Sequence, residues 1–170
     1  MRLARPTLLV FTAVLALVIS AVAAAMRPPT VEDGTLSVRD GRATIQLQMK
    51  GGVIGRFARG TLTVTRAPLD ASTVVVRGAE RTRFLNARKT VYTGRNIRFR
   101  IAGDRKFAVR IHASKINLSA VGLGNGWIDG WGNPDKGVYF DGSFSLNGAS
   151  YRSLPDDREP IQLEAVPTES

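Results

Sequence analysis

The chain has no cysteine, so no disulfide, no thiolate chemistry and no cysteine-linked lipid enters its account. It has a single histidine, His112, and no G-x-S-x-G elbow, which leaves neither a histidine-based metal centre nor a recognisable Ser-His-Asp triad. Beyond residue 26 it also lacks apolar positions at helical spacing. Glycines alternate in GLGNGW at 122–127, but the G-x-G-x-x-G spacing and the following helix of a dinucleotide site are missing. That stretch reads as a bend or bulge in a sheet, and no cofactor or resident metal is expected.

What is present first is a long uncharged run. Residues 7–26, TLLVFTAVLALVISAVAAAM, lie between Arg2 and Arg5 on one side and Arg27-Pro28-Pro29 on the other. A helix of about 20 residues rises about 30 Å, the thickness of a hydrocarbon core. The run exceeds the roughly 7–15 residues of an ordinary signal h-region, which favours a retained single-pass anchor. Two basic residues before it and one after it place the amino terminus in the cytoplasm and the remainder outside. A signal peptide cleaved near Ala23, at Ala21-Val22-Ala23, is the competing reading and would secrete the same domain.

The chain divides by composition into this segment (1–27), a linker (28–34), a β-domain (35–154) and an acidic tail (155–170). The tail reads as disordered apart from a short strand at 161–164. Charge is asymmetric. The whole chain carries a net charge of +10, yet Asp156, Asp157, Glu159, Glu164 and Glu169 leave the tail negative, so the body is strongly basic. Such a body is drawn to anionic polymers or lipid headgroups without sequence-specific nucleic-acid recognition.

Within the body, apolar residues alternate with polar ones, and turn dipeptides punctuate them. Asp40-Gly41, Asp141-Gly142 and Asn147-Gly148 each suit a two-residue hairpin, because both turn positions require positive φ. Further short strands are expected at 53–57, 61–65, 73–77, 89–93, 96–101, 107–112, 116–121 and 126–129. About 10–12 short, mainly antiparallel strands without a helix indicate an all-β fold, a sandwich or partly open barrel. DGRATIQLQ at 40–48 and DRKFAVRIH at 104–112 share one apolar phase, the pattern of a duplicated half-domain or simply of two alternating strands.

The segment 96–112, NIRFRIAGDRKFAVRIH, reads as a hairpin with Ile97, Phe99 and Ile101 opposite Ile111, Val109 and Phe107. That register sets Arg98 across from Arg110, with Arg100 and His112 beside them. Opposed like charges destabilise a sheet, so Arg98, Arg100, Arg110 and His112 are candidates for binding an anion or partner. Trp131 is a second candidate contact, as a stacking platform, while one of Trp127 and Trp131 is expected in the core. Asp129, Asn133, Asp135 and Asp141 could surround calcium, but the match to an EF-hand loop is poor and side-chain-stabilised turns are the default.

The stretches GRFARGTLTV, VVRGAERTR, VYTGRNIRFRI and INLSAVGLGNGWI, within residues 55–128, resemble small uncharacterised membrane-anchored or secreted β-proteins of high-GC bacteria. The resemblance implies one extracytoplasmic domain and carries over no functional residue. Two functions are therefore expected to compete. The first is a noncatalytic, membrane-tethered envelope domain that meets an anionic polymer, lipid or partner protein through the Arg98, Arg100, Arg110 face. The alternative is an exported hydrolase of a glycan or peptide, using Asp129, Asp135 or Asp141 near Trp131.

Overall fold

A computed structural model describes residues 33–66, 73–132 and 140–164. The apolar segment 7–26 lies outside the described residues, as do Asn133 and Asp135. Among the described residues, no helix is long and apolar enough to cross a membrane.

The fold is all-β with antiparallel pairing. It consists of β1 (Gly34–Thr65), β2 (Thr73–Phe84), β3 (Lys89–Gly130), β4 (Ser143–Leu146), β5 (Arg152–Ser153) and β6 (Glu159–Leu163). These form one sheet in the order β2-β3-β1-β4-β5, with β6 on a further edge of β3. Most of the short strands expected from sequence are thus joined end to end into two long ones. Residues 43–49 of β1 pair with 107–113 of β3 on one edge and with 124–130 of the same strand on the other. Residues 51–65 pair likewise with 89–103 and with 108–122. One strand can occupy both edges of its partner only if the sheet coils.

The coil gathers one face of every strand around a common core. Leu36, Ile45, Leu47, Met49, Leu62, Ile97, Ile101, Ile111, Ile116 and Phe144 are fully buried there. Strand alternation puts every second residue of β1 and β3 inward, so period two in the sequence becomes inside and outside of the coil. With no disulfide, this apolar burial supplies the main favourable term, at roughly 25 cal/mol per Å² removed from water. The two segments that share a phase, 40–48 and 104–112, lie side by side. Ile45 pairs with Ile111 and Leu47 with Val109, so a shared environment accounts for their likeness.

Two turns expected from sequence are absent. At Asp40-Gly41 the strand does not reverse, because Val38 pairs with Leu118 and Gly41 with Ile116 on the same partner. The positive φ of Asp40, 48°, accommodates extra residues of a β-bulge instead of closing a hairpin. The 96–112 hairpin is also absent. Ile97 faces Phe57, Ile101 faces Val53, Phe107 faces Met49, and Ile111 lies between Ile45 and Leu62. β1 therefore supplies the partners that the sequence reading assigned to β3 itself.

Asn147-Gly148 does make its turn. Both residues have positive φ, 49° and 79°, and the Ala149 amide donates to the Leu146 carbonyl at 2.9 Å between β4 and β5. The strand expected before Asp141-Gly142 falls largely outside the described residues. The acidic stretch contributes β6, one or two residues from the expected position, and buries Ile161 and Leu163 in the core. Arg152 pairs with Glu159 beside it.

The glycines of GLGNGW work through close approach. Gly51 and Gly122 pair with each other at positive φ, 126° and 148°. A Cβ on Gly51 would sit 2.3 Å from the Val121 carbonyl oxygen, and one on Gly122 would sit 2.1 Å from that of Lys50. Here β1 and β3 pass each other too closely for side chains.

Candidate anion-binding face and groove

The outward positions of the three longest strands repeatedly hold arginine. Arg56 and Arg59 on β1, Arg77, Arg81 and Arg83 on β2, and Arg95, Arg98 and Arg110 on β3 are all exposed. Pairing brings several of them abreast. Arg98 lies between Arg56 and Arg77, three guanidinium-bearing residues in one cross-strand row, and Arg95 lies opposite Arg59. Neighbouring strands are about 4.8 Å apart, so the row concentrates like charge. Arg56, Arg77 and Arg98 make no ion pair among the described residues.

The sequence-derived constellation is thereby divided. Arg98 and Arg100 stand on the part of β3 that pairs with β2, with Arg100 between Val75 and Ile54. Arg110 faces Gln46 and Thr63 and does not oppose Arg98. Its guanidinium lies 5.6 Å from the centroid of Trp127, whose ring is also covered by Arg158 at 4.1 Å. Neither tryptophan is a core residue; both are half-buried among cations.

His112 and Trp131 do come together. Their ring centroids are 4.3 Å apart at an interplanar angle of 48°. Thr44, on β1 between them, ties both. Trp131 Nε1 donates to Thr44 Oγ1 at 3.2 Å, and Thr44 Oγ1 is 2.8 Å from His112 Nδ1. Indole N–H can only donate, so the threonine oxygen accepts it and its hydroxyl proton is available to Nδ1. The second lone pair of Thr44 Oγ1 can equally accept from Nδ1–H, so either tautomer of the neutral ring fits the contact. Thr44 is buried and both contacts are satisfied within the protein, which removes it as an exposed nucleophile.

His112 and Trp131 border a surface groove of about 710 Å³, into which Arg42, Arg59 and Lys115 also project, with Phe140 on its rim. Phe140 is 68% exposed, an apolar ring left to solvent. A smaller hollow of about 240 Å³, lined by Arg56, Arg98 and Asn117, shares Lys115 and Asp40 with the groove. The arginine row and the aromatic groove therefore adjoin. Asn117 Nδ2 is 3.4 Å from Asp40 Oδ1, so the one exposed carboxylate at this junction is partly engaged.

Asp141 also borders the groove but differs from every other carboxylate described. It is 7% exposed, and neither carboxylate oxygen has a hydrogen-bond partner. The nearby Trp131 amide donates to the Arg42 carbonyl at 3.0 Å. Burial pushes the Asp141 carboxyl above the usual carboxylate range, helped by the Asp156 charge and only partly offset by the Arg42 charge and the Trp131 backbone amide. A folded-state value above the unfolded one means that ionising Asp141 weakens the fold. Stability from this group is full below the ordinary range and is lost as pH rises through the raised value. Asp129, the other described acid of the hydrolase reading, pairs opposite Thr44 on the outer face.

Sequence reasoning missed Arg42, Arg56, Arg59, Lys115, Thr44 and the burial of Asp141. The outward phase of Arg56 and Arg59 was visible in GRFARG, but their partners depended on which strands met. Asp141 looked like a turn residue. Comparison with protein-family models, with curated proteins and with solved structures gave no match.

Proposed function

We propose that this chain is a noncatalytic extracytoplasmic binding module, held at the cell membrane by residues 7–26, whose arginine face and groove take an anionic polymer of the cell envelope. The observation that carries this reading is the unpaired row Arg56, Arg98, Arg77. Such a row costs stability in the free protein and loses that cost when anionic groups are spaced along it. The adjoining groove adds Arg42, Arg59 and Lys115 as charge and Trp131 with His112 as a ring surface. An array spread over several strands fits a chain of repeated charges better than a single small anion. The coiled sheet is read here as a partly open barrel, with its outer wall as the binding surface.

Against the hydrolase reading stands Asp141, whose carboxylate oxygens are covered and so are badly placed to flank a substrate. The binding reading is tested by retention of the full-length protein, in detergent, on dextran sulfate beads against uncharged dextran. Salt should release it, because screened charge–charge attraction carries the contact. Arg42→Gln, Arg59→Gln and Lys115→Gln combined should release it at distinctly lower salt. Identical release of the variant and the parent protein would remove the groove from the binding surface.

The tether has its own check. Fractionated cells should hold the protein in the membrane pellet at full-length mass, resistant to high salt. A soluble form at the mass of the body alone would replace the anchor with a signal peptide cleaved near Ala23.

A further inference from the structure

The hairpin that joins β2 to β3 stands clear of the core. Up to Ala79, β2 still packs on it, with Val74 and Val76 half-buried against the cluster. The pairing with β3 then slips at Ala79 and again before Arg81, and a bulged edge strand bends away from its sheet. From Glu80 to Arg88 every residue is exposed, so Arg81 and Arg83 on one face of the strand and Thr82 and Phe84 on the other all meet solvent. At the tip, Phe84 and Leu85 are consecutive apolar side chains, 74% and 45% exposed. Arg81, Arg83, Arg88 and Lys89 flank them and make no ion pair among the described residues. The turn itself is firmly built. Asn86 Oδ1 accepts from the Arg88 and Lys89 amides at 2.9 Å each, and the Leu85 amide donates to the Lys89 carbonyl at 2.8 Å. The Arg66 amide, just after β1, donates to the Arg88 carbonyl at 3.0 Å and ties the turn to the body.

We infer that the β2–β3 hairpin docks on an anionic lipid surface, with Phe84 and Leu85 entering the headgroup region and Arg81, Arg83, Arg88 and Lys89 meeting lipid phosphates behind them. An apolar tip with a basic collar matches both halves of such a surface, the acyl boundary and the negative charge above it. Arginine and lysine stems are long enough to lie along the apolar layer while their charges stay at the phosphates. Backbone groups already bonded within the turn can leave water at little cost. Two side chains at a tip are far too little for a stable protein interface, which buries on the order of 1,000 Å² or more. A second copy meeting tip to tip would bring unpaired arginines against their equals. Lipid is also near, if residues 7–26 span the membrane: residues 27–33 give at most about 25 Å of extended chain before β1 begins at Gly34. The inference thus leans on the tether for proximity alone, and it is independent of the polymer reading.

The test exploits the absence of native cysteine. Full-length protein carrying Ala87→Cys, at an exposed turn position, is labelled with the environment-sensitive dye NBD and reconstituted at low salt into vesicles of phosphatidylglycerol and phosphatidylcholine or of phosphatidylcholine alone. In the anionic vesicles the emission should shift to the blue and be quenched by brominated acyl chains, whereas in phosphatidylcholine alone it should stay close to that of the dye in water. Phe84→Ser with Leu85→Ser, both at exposed positions, should abolish the shift. Arg81→Gln, Arg83→Gln and Arg88→Gln combined should lower the docked fraction by on the order of tenfold or more. A water-like emission in both vesicle types would overturn the inference, as would a blue shift that survives the double serine change. A shift that follows the protein-to-lipid ratio and ignores phosphatidylglycerol would assign the tip to a second copy, which also overturns it. Flotation of the same vesicles in high salt reports the tether separately. Protein left behind there loses the tether, while the dye at low salt still decides the tip.

Discussion

Replacing Arg56 and Arg98 together by glutamine is expected to stabilise the free protein while weakening its retention on dextran sulfate by on the order of tenfold. The two effects have one cause. Arg98 sits between Arg56 and Arg77, so the double change dissolves two like-charge oppositions at once. Each such opposition costs roughly 0.2–1 kcal/mol in a sheet, which corresponds to a rise of a few degrees in melting temperature. Glutamine keeps the length of the side chain and most of its cover over the strands, so packing should be little disturbed. Salt should matter less to the variant than to the parent, since two of the charges that meet the polymer are gone. The opposite signs distinguish binding from damage. Weaker retention with a lower melting temperature would mean that the arginines support the fold, and the polymer reading of this face would be lost.

The largest loss of stability is expected from Gly51→Ala, a single methyl group. Gly51 combines a φ of 126°, which an L side chain rarely adopts, with a Cβ position 2.3 Å from the Val121 carbonyl oxygen. Backbone strain of this kind costs on the order of 1–3 kcal/mol. The added clash can be relieved only by separating β1 from β3, which pair along most of their length. A total above about 3 kcal/mol is a large fraction of a typical domain's 5–15 kcal/mol. Gly148→Ala provides the internal comparison. It has a φ of 79° but nothing within 4 Å of the added atom, so only the strain term remains. Melts followed by circular dichroism should show Gly51→Ala unfolding on the order of 10 °C below the parent and Gly148→Ala only a few degrees below it. Equal shifts would mean that strand crossing at Gly51 is not tight.

The contrast between two Asx-Gly dipeptides shows where local signals stop. Asn147-Gly148 and Asp40-Gly41 advertise the same backbone demand, and Asn147 and Asp40 both have positive φ. Only the first closes a turn, because β4 and β5 on its two sides pair with each other. Residues on both sides of Asp40 instead pair onward along β3, and the same demand is met by a bulge. Similarly, the alternation of Ile97, Phe99 and Ile101 marks them as inward residues wherever their partners come from. Nothing in that alternation says whether the partner is residues 107–111 or residues 53–57. Side-chain phase is local, whereas strand pairing is a competition among many segments of the same phase.

The candidate site divides along the same line. That Arg98, Arg100, Arg110 and His112 would face outward followed from their neighbours, and an excess of outward arginine was visible as composition. That Arg98 would meet Arg56 and Arg77, and that Thr44 would join His112 to Trp131, required the coil of the sheet. Asp141 is the sharpest case, since a polar residue before glycine gives no sign that its carboxylate will be enclosed.

By itself, then, the sequence determined an all-β body without disulfides, the inward and outward identity of its residues, and the basic character of its exterior. These depend on alternation, composition and turn chemistry, each written within a few residues. Only the tertiary structure decided that short strands join into two long coiled ones, that three arginines stand in one row, and that an unpaired aspartate lies behind an aromatic groove. Those features depend on contacts between residues distant in the chain, and many pairings of similar strands satisfy the same local pattern until the core selects one.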